Sequence, residues 1–436
     1  MDCWLTVPAV WSDQARHATK AAAKAAGFGS RAGDTISVIS EPEAAAITVL
    51  KKYAQVGSIN ALQIGQVVLI CDCGGGTVDI TTYTIVETTP RLEFEEIVVG
   101  DGKACGSTFV DRNLHALMRE RFGQAFDDVE PRRKGPGSRF MNQWESVKRS
   151  FGQSGSYLTK EIGPLNMRGV FTSEWYDDED CLVKLTYEDV EGLFQPVVAD
   201  IIGLVSDQSL ELQKQWRALD RVLLVGGFGD SEYLHKKLSE WCEQNGISQA
   251  ECPENPQAAI VRGAALRGLE GIAPNRRRCR RHYGVKISLP FREGIDPPSK
   301  GYTSRWSGRR SCRDRVDWLI SKGDLVDQDT VRKVKICIYC RRDDDRWHKT
   351  RLVSSTLEVP PQYADDPRVD SVGTVTTDFR ETNPSDFQSH REGLFGKKLW
   401  KLDFQLQVGF GSQAGVLDFK TFIKHELSGT ASITFD

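Results

Sequence analysis

The sequence predicts an α/β fold followed by a β-rich C-terminal region, and three observations support this. Predicted strands and helices alternate as far as Gly271, which is the pattern of an α/β architecture. Two apolar segments lead directly into glycine turns, one at Gly74 and one at Gly226. The composition then changes at Ala273-Pro274, and segments of alternating polar and apolar residues follow.

Composition restricts the class of protein. The chain has 436 residues, 57 Lys and Arg against 60 Asp and Glu, and 39% hydrophobic residues. Such a chain is expected to fold into two or more domains. The balanced charge provides no cationic excess for nonspecific nucleic-acid binding, so a nucleic-acid partner is not expected. No apolar stretch approaches the roughly 20 residues that a membrane-spanning helix needs, so a membrane partner is not expected either.

The N-terminal residues and the cysteines predict a cytoplasmic location. Residues 1–8 show no basic region followed by an apolar one, so we expect no secretory signal. The eleven cysteines are scattered along the chain. A reducing compartment accounts for this distribution best.

The first predicted domain covers residues 1–64. It contains a strand at 4–7, a helix at 12–26, a strand at 36–39 and a helix from Pro42. Ser12 is a typical N-cap residue, and Gly27 and Gly29 end the first helix.

The second predicted domain covers residues 65–272. Strands at 67–71 and 80–86 flank the turn at Gly74, and a strand at 95–99 extends the meander. The remaining predicted elements are helices at 109–121, 140–151, 188–216 and 231–243 and a buried strand at 221–225.

The third predicted domain covers residues 273–436. The arginine run at 276–281 marks its start. The alternating segments at 331–339, 372–379, 400–410, 416–422 and 431–435 predict a β-rich domain.

The first glycine turn predicts a phosphate-binding loop. A buried strand delivers an acid into three glycines, whose backbone amides can surround phosphate oxygens because no Cβ obstructs them. Two carboxylates could hold hydrated Mg²⁺, and a threonine offers a hydroxyl. An ordinary glycine hairpin is the alternative. The candidate residues are Asp72, Gly74, Gly75, Gly76, Thr77 and Asp79.

Two further patterns are compatible with a nucleotide. Gly226 and Gly227 follow a buried strand and precede a helix, so a sugar or phosphate could approach the backbone there. The alternative interpretation is a tight strand-to-helix turn that binds no ligand. Glu145, Lys148 and Arg149 share one helical face, which without a neighbouring cleft would be a solvated ion-pair surface.

Taken together, five motifs in this order resemble those of the 70-kDa heat-shock protein family over residues 4–270. The motifs are Leu5-Thr6-Val7-Pro8-Ala9-Val10-Trp11-Ser12-Asp13 with Arg16-His17-Ala18-Thr19-Lys20, then Ser40-Glu41-Pro42-Glu43-Ala44-Ala45-Ala46, then the Asp72 loop, then Gly226-Gly227, then Asn255-Pro256 with Arg262-Gly263-Ala264-Ala265. The resemblance implies an actin-like (ribonuclease H-like) ATPase domain, with 1–64 as a remnant of its lobe I and 65–272 as lobe II.

The resemblance also implies a ligand and roles for the candidate residues. The ligand is ATP or ADP with Mg²⁺. Glu41, Asp72 and Thr77 are implied to be catalytic, and Asp72 and Asp79 to lie near the cation. The glycine loop is implied to hold phosphates, Glu145, Lys148 and Arg149 to line the adenosine pocket, and Gly226 and Gly227 to approach ribose and phosphates. Client polypeptides and co-chaperones are the implied partners.

The sequence departs from the family pattern at several positions. No Asp-x-Gly-Thr-Thr segment, the family's first phosphate loop, is found in this sequence. Gly152, Asp230 and Gln257 replace a serine, an arginine and an acid of the family. Two functions follow as hypotheses: a chaperone-type ATPase that couples nucleotide state to a client, or a nucleotide-binding scaffold without hydrolysis. A sugar or metabolite kinase of the same fold is a third, against which the Val-Pro-Ala and Glu-Pro motifs argue.

Other candidate sites are interpreted as structural. Cys337 and Cys340 form a single CxxC pair with no second pair at zinc spacing. His425-Glu426 lacks the second histidine of a zinc peptidase. The acidic run 177–180 is interpreted as a solvated loop and the arginine run 276–281 as a solvated linker.

Overall fold

The fold is described from a computed structural model. It describes residues 1–55, 61–153, 158–248, 250–304, 306–340, 347–380, 382, 384–391, 398–410, 417–424, 426–427 and 431–434. No helix within these ranges is long and apolar enough to cross a membrane.

The helices lie in the first two-thirds of the described chain. They are α1 (Asp13–Ala25), α2 (Glu41–Tyr53), α3 (Thr108–Phe122), α4 (Gln124–Asp127), α5 (Pro131–Lys134), α6 (Arg139–Ser150), α7 (Tyr187–Lys214), α8 (Glu232–Gln244) and α9 (Ala259–Glu270).

Strands occur throughout the described chain. In residues 1–273 they are β1 (Asp2–Val7), β2 (Thr35–Ser40), β3 (Val67–Cys73), β4 (Val78–Glu87), β5 (Glu93–Lys103), β6 (Lys160–Ile162), β7 (Tyr176–Asp177), β8 (Leu182–Leu185), β9 (Arg221–Val225) and β10 (Ala250–Glu251). After residue 273 they are β11 (Arg277–Arg278), β12 (His282–Pro290), β13 (Gly301–Thr303), β14 (Arg310–Ile320), β15 (Leu325–Val326), β16 (Val331–Cys340), β17 (Trp347–Ser355), β18 (Asp370–Asp378), β19 (Gln388–Arg391), β20 (Lys398–Gly409), β21 (Asp418–Ile423), β22 (Glu426–Leu427) and β23 (Ala431–Thr434).

The chain divides into two compact units. The glycine-loop unit consists of residues 8–10 and 40–273, and the β-rich unit consists of residues 1–7, 11–39 and 274–436. Most of residues 1–39, which the sequence groups with a lobe I remnant at 1–64, therefore lie in the same unit as the C-terminal strands. The assignment of 1–64 to lobe I stays a prediction.

The glycine-loop unit is built on a five-stranded sheet in the order β10-β9-β3-β4-β5. β3, β9 and β10 run parallel, whereas β4 and β5 add antiparallel strands beside β3. Every residue of β3 is buried, as expected for a strand covered on both faces. The two glycine turns follow the neighbouring parallel strands β3 and β9, so they emerge at the same edge of the sheet.

Helices cover this sheet and form one continuous core with it. The core includes Trp144 of α6 and Phe194 of α7, both fully buried. α7 begins with a capping box in which Thr186 and Asp189 satisfy each other's backbone amides. Phe151, just after α6, packs against the rings of Phe194 and Tyr233 at 5.0 and 4.9 Å. This aromatic cluster fixes the end of α6 against α7 and α8.

α2 and α9 pack against each other with almost no space between their backbones. A Cβ at Gly263 would overlap the carbonyl oxygen of Ala44. The Thr48 hydroxyl also donates to the Ala259 carbonyl at 2.6 Å. Such an approach requires glycine on α9, because any side chain at this position would overlap the backbone of α2.

The β-rich unit contains two main sheets that share a core. One has the order β13-β14-β12-β17-β18-β23, and the other has the order β16-β20-β21-β22 with β19 also pairing with β20. Val285, Leu352 and Val375 from the first sheet pack with Val334 and Phe404 from the second. The unit is therefore a β-sandwich.

The N-terminal helix α1 belongs to the same unit through a buried polar contact. The hydroxyl of Tyr283, on β12, donates to the Asp13 carboxylate at 2.8 Å. Burial first, and then the nearby charge of Asp13, raise the pKa of Tyr283 well above its usual range. The predicted N-cap is present, since Ser12 Oγ accepts from the Ala15 amide.

Most predicted elements are confirmed with small changes in their bounds. The helices predicted at 12–26, 109–121, 140–151, 188–216 and 231–243 and the meander at Gly74 are all present. β12, β14 and β17 were not predicted. β14 carries charged residues at Arg310, Arg313 and Arg315 and a mixed burial pattern, so its alternation is weak. Residues 416 and 435, which belong to the strands predicted at 416–422 and 431–435, lie outside the described residues.

The α2–α9 packing predicts that the same substitution, glycine to alanine, changes the free energy of unfolding in opposite directions at two positions. Gly263→Ala should lower the free energy of unfolding by about 3 kcal/mol or more, because the new methyl group overlaps backbone that cannot move aside. Gly192→Ala, in α7, places its methyl group where no atom lies within 4 Å. It should raise the free energy of unfolding by about 0.5–1 kcal/mol. Urea unfolding of both variants checks this, and equal effects would contradict the packing.

Candidate functional site

The site is centred on a pair of buried carboxylates. Asp72 near the end of β3 and Asp79 near the start of β4 are direct partners across the antiparallel ladder. Asp72 is only 4% exposed, and Asp79 is equally buried. Two acids that face each other in a buried position repel when both are ionised.

The surroundings of Asp72 strongly favour its protonated form. Burial first, then the charges of Glu41 and Asp79, raise the pKa of Asp72 to about 7. Glu41, the first residue of α2, is half-buried, and its pKa is raised by burial and then by Asp79. Oδ1 of Asp72 is buried and accepts no hydrogen bond from any described residue. A cation or a proton is the group that this arrangement lacks.

The glycine loop Gly74–Thr77 turns its carbonyls towards helix α3. The Ser107 amide donates to the Gly74 carbonyl at 3.1 Å, and the Thr108 amide and hydroxyl donate to the Gly75 carbonyl at 2.9 and 2.8 Å. The Gly74 amide closes the loop by donating to the Thr77 carbonyl. Within the described chain the amides of Gly75 and Gly76 donate to no acceptor. Two exposed amides are thus available to an anion.

Gly106 allows the loop to lie against the start of α3. A Cβ at Gly106 would lie 2.5 Å from the Gly75 carbonyl oxygen. The loop is therefore held by direct backbone packing. By contrast, a Cβ at Gly75 would meet only the Thr108 methyl group, at 3.9 Å, and one at Gly76 would meet nothing within 4 Å.

The second glycine turn packs directly on Asp72. Gly226 has a φ of +83°, and a Cβ there would lie 2.6 Å from Asp72 Oδ1. The Gly226 amide donates to the Pro256 carbonyl at 3.1 Å, and the Phe228 amide donates to the Cys73 carbonyl at 2.9 Å. Only glycine satisfies both the conformation and the close approach. Gly227 is exposed with open space around it.

The three charged residues of α6 form one network. Lys148 is only 8% exposed and lies 2.8 Å from both Asp111 and Glu145. The Arg149 side chain is 79% exposed and donates to Glu145 at 2.8 Å. Burial would raise the pKa of Glu145, but the hydrogen bonds from Lys148 and Arg149 outweigh it and lower that pKa. The network leaves the Arg149 guanidinium anchored at one end and open to solvent.

The C-terminal end of α6 meets the segment that follows the second glycine turn. Gly152 has a φ of +98°, and a Cβ there would lie 2.6 Å from the Tyr233 amide nitrogen. Glu145 first, and to a smaller extent Asp230, raise the pKa of Arg149. These contacts give a physical reason for two departures from the family pattern: Gly152 permits the close approach, and Asp230 places a charge near Arg149.

The structure thus brings the predicted residues into two groups. Glu41, Asp72, Asp79 and Gly226 form one group, with the glycine loop beside it. Glu145, Lys148 and Arg149 form the other, next to the segment after Gly227. The Thr77 carbonyl closes the loop, while its hydroxyl makes no hydrogen bond in the described chain. No cluster of three or more His, Cys, Asp or Glu side chains in the described ranges has metal-binding geometry.

Several residues that build the site are not predicted by the sequence motifs. Asp111 receives hydrogen bonds at 2.8 Å from both Lys148 and Trp144. Gly106, Ser107 and Thr108 support the glycine loop, and the Pro256 carbonyl holds Gly226. The Gly-Ser-Thr sequence ahead of a helix was the available signal for the loop support. No sequence signal indicated Asp111, because its partners Trp144 and Lys148 are 33 and 37 residues away in the chain.

The secondary candidates have structural contacts. Arg278 donates to the Gly323 carbonyl and Arg281 pairs with Asp370, so at least part of the arginine run supports the β-rich unit. Asp177 accepts from the amides of Glu179 and Asp180. Cys337 carries a free thiol. The Cys340 side chain and His425 lie outside what the structure describes.

Comparison with known proteins decides the family. The Hsp70 protein family matches residues 1–273. This chain belongs to the Hsp70 family. Human heat shock 70 kDa protein 12B is 25% identical over 78% of this chain and 60% of its own length. Human heat shock 70 kDa protein 12A is 24% identical over 89% of this chain and 65% of its own length. Chaperone protein DnaK of Psychrobacter cryohalolentis is 24% identical over 61% of this chain and 37% of its own length.

Family membership confirms the predicted fold class, an α/β actin-like ATPase domain followed by a β-rich region. It supports nucleotide binding as the general property of this domain. The chain spans 60% and 65% of the lengths of the human 12B and 12A proteins that it matches.

Asp72→Asn should change how stability depends on pH. The carboxyl titrates near 3.8 in the unfolded chain and near 7 in the folded protein. Between these values the folded state keeps a proton that the unfolded state has lost, so the stability contributed by Asp72 falls as pH rises. Because Asn does not ionise, the variant should exceed the wild type in stability above about pH 7, by up to about 4 kcal/mol. The difference should vanish towards about pH 4.

Urea unfolding in steps across this pH range, with EDTA and without nucleotide, measures the effect. Asp207→Asn is the matched control, because this aspartate is exposed on α7. A stability difference between wild type and Asp72→Asn that does not vary with pH would contradict the buried acid pair.

Proposed function

We propose that the glycine-loop unit binds ATP or ADP with Mg²⁺ and that the bound nucleotide controls a polypeptide partner held by the β-rich unit. The observation that carries the proposal is the buried Oδ1 of Asp72, which has no hydrogen-bond donor in the described chain and lies where both glycine turns meet. Family membership supports the nucleotide, and the remaining steps rest on the contacts of this chain.

The phosphates are assigned to the glycine loop. Gly75 and Gly76 are exposed and offer backbone amides, while their carbonyls are turned away by α3. Gly227 offers a third exposed backbone segment at the same sheet edge. Amides grouped in this way stabilise anionic oxygens without requiring a charged side chain.

Asp72 and Asp79 fit a hydrated magnesium ion. Two observations support this fit: Oδ1 of Asp72 accepts no hydrogen bond from a described residue, and the pKa of Asp72 is raised. A divalent cation would supply a partner for Oδ1 and would offset the repulsion from Glu41 and Asp79. Magnesium usually keeps several waters and binds one or two carboxylates together with substrate phosphates. When bound, it would neutralise phosphate charge. Asp72 and Asp79 would hold its water shell in place.

The adenosine is assigned to the end of α6. Glu145 fixes the Arg149 side chain through a 2.8 Å bond, so the exposed guanidinium can stack on a base ring. The buried Lys148 holds Glu145 in turn. Asp230 and the Gly226–Gly227 turn lie on the neighbouring segment, which suits a nucleoside held between them.

Hydrolysis is assigned to Glu41, Asp72 and Thr77. Glu41 has a raised pKa, which suits a carboxylate that orients a water molecule and accepts its proton. Thr77 offers a hydroxyl beside the phosphate loop, and Asp72 would position the waters of a bound cation. These roles are inferred from the family and from the placement of the three residues.

The partner and the location are proposed in general terms. Client polypeptides and co-chaperones fit the family. The ten described cysteine side chains are all free thiols, which supports a reducing, cytoplasmic location.

Nucleotide binding is tested by titration calorimetry. ADP with Mg²⁺ should bind the wild type, and Gly75→Val should weaken binding by at least about tenfold, because the side chain blocks phosphate approach to the loop amides. The variant should fold, since a Cβ there meets only a methyl group at 3.9 Å. Gly192→Ala is the control. Full ADP affinity in folded Gly75→Val would contradict the phosphate assignment. If neither ADP nor ATP produces binding heat with the wild type in the presence of Mg²⁺, the proposal is overturned.

A second candidate function is nucleotide binding without hydrolysis. It is favoured by the surroundings of Asp72, which raise the pKa of this carboxyl to about 7, because phosphoryl transfer depends on positioned charges around the γ-phosphate. Single-turnover assays with labelled ATP separate the two functions. Magnesium-dependent turnover that is lost in Glu41→Gln supports the ATPase. Binding of ATP without turnover supports the scaffold.

A further inference from the structure

The outer edge of strand β16 combines three properties of a docking site. β16 is the first strand of its sheet and pairs only with β20 among the described strands. Its ten residues pair with ten residues of β20 in continuous register, without a bulge. No proline interrupts it. Half of the backbone amides and carbonyls of such a strand point away from its one partner.

The strand is firmly held on its inner face. Val334 and Ile336 are buried in the sandwich core. Lys333 and Lys335 alternate with them and are exposed on the outer face. The edge is therefore a fixed template, because its core residues prevent a shift in register.

The charge of the strand identifies its occupant. Arg332, Lys333 and Lys335 are exposed, and β16 contains no acidic residue. None of the three forms an ion pair within the described part of the chain. The whole β-rich unit carries 34 Lys and Arg against 25 Asp and Glu, whereas the glycine-loop unit carries 23 against 35.

Two other occupants are disfavoured. A second copy of β16 would place a second set of these cations on the same ladder without any acidic residue, so the two strands would repel each other. Charged side chains on edge strands commonly prevent self-pairing in this way. A single-stranded nucleic acid would need free aromatic faces for stacking. The rings near β16 already have partners: Tyr339 packs on Trp306 at 5.9 Å, and Arg313 covers Tyr302 at 4.9 Å.

We infer that the outer edge of β16 binds an extended acidic polypeptide segment, which adds to the sheet as a further strand. Backbone hydrogen bonds supply the pairing, and Arg332, Lys333 and Lys335 select acidic side chains. The inference rests on the proposed function in one respect, namely that the β-rich unit holds the polypeptide partner. It gives that partner a chemical class and a place.

Fluorescence anisotropy with the full chain tests the inference. The probe is a fluorescein-labelled peptide of alternating Glu and Val, and the matched probe alternates Lys and Val. The Glu-Val peptide should bind, and the Lys-Val peptide should bind at least about tenfold more weakly. Lys333→Glu with Lys335→Glu should reverse this preference. Lys349→Glu with Arg351→Glu is the control, because it makes the same change of charge on exposed positions of β17, a strand between β12 and β18.

A third peptide separates strand addition from simple attraction of charge. It carries the Glu-Val sequence with every backbone amide methylated, which keeps its charge and removes the N–H donors on both of its strand edges. We expect it to lose binding. Equal binding of the methylated peptide would overturn strand addition, and tighter binding of single-stranded oligouridine would assign the surface to nucleic acid instead.

The same samples are titrated with ADP. If the double Lys→Glu variant keeps its ADP affinity and loses the peptide, the inference stands. If the wild type binds ADP but no acidic peptide, the inference fails and the proposed nucleotide site is unaffected. If neither ligand binds, both fail.

Discussion

The site depends on one constraint: a buried carboxylate must lie against backbone that has no side chain. Asp72 occupies a fully covered strand, and Gly226 approaches its Oδ1 so closely that a methyl group would not fit. The parallel pairing of β3 with β9 creates this approach, because it places the turns after both strands at one sheet edge. Burial then supplies the electrostatics, since a carboxylate removed from water gains most from a cation.

Close backbone packing recurs throughout the glycine-loop unit. Gly106 lies against the glycine loop, Gly152 against the start of α8, and Gly263 against α2. Each of these glycines removes a side chain where two elements must meet, and the first two bring the loop and α6 to their positions. The same property makes the site sensitive to small substitutions, because close-packed backbone cannot relax around an added carbon.

The two units carry opposite charges, which the near-neutral total of the chain conceals. The acidic unit contains the carboxylate site, and the basic unit contains the outer edge of β16, which pairs with no other described strand. In the acidic unit, burial first and then the charges of Glu41 and Asp79 raise the pKa of Asp72. In the basic unit, the excess of cations provides selectivity among partners and suppresses self-pairing. The uneven distribution of charged residues therefore gives each unit a distinct chemical role.

Local sequence patterns were sufficient to predict most of the elements and the motifs. Hydrophobic periodicity predicted the long helices and the meander at Gly74, and the order of the motifs indicated the family, because these signals lie in contiguous residues. The tertiary structure alone decided that Gly226 packs on Asp72, that Asp111 anchors Lys148, and that α1 joins the β-rich unit through Asp13 and Tyr283. These contacts join residues far apart in the chain. Their partners are selected by packing and burial, which local patterns do not encode.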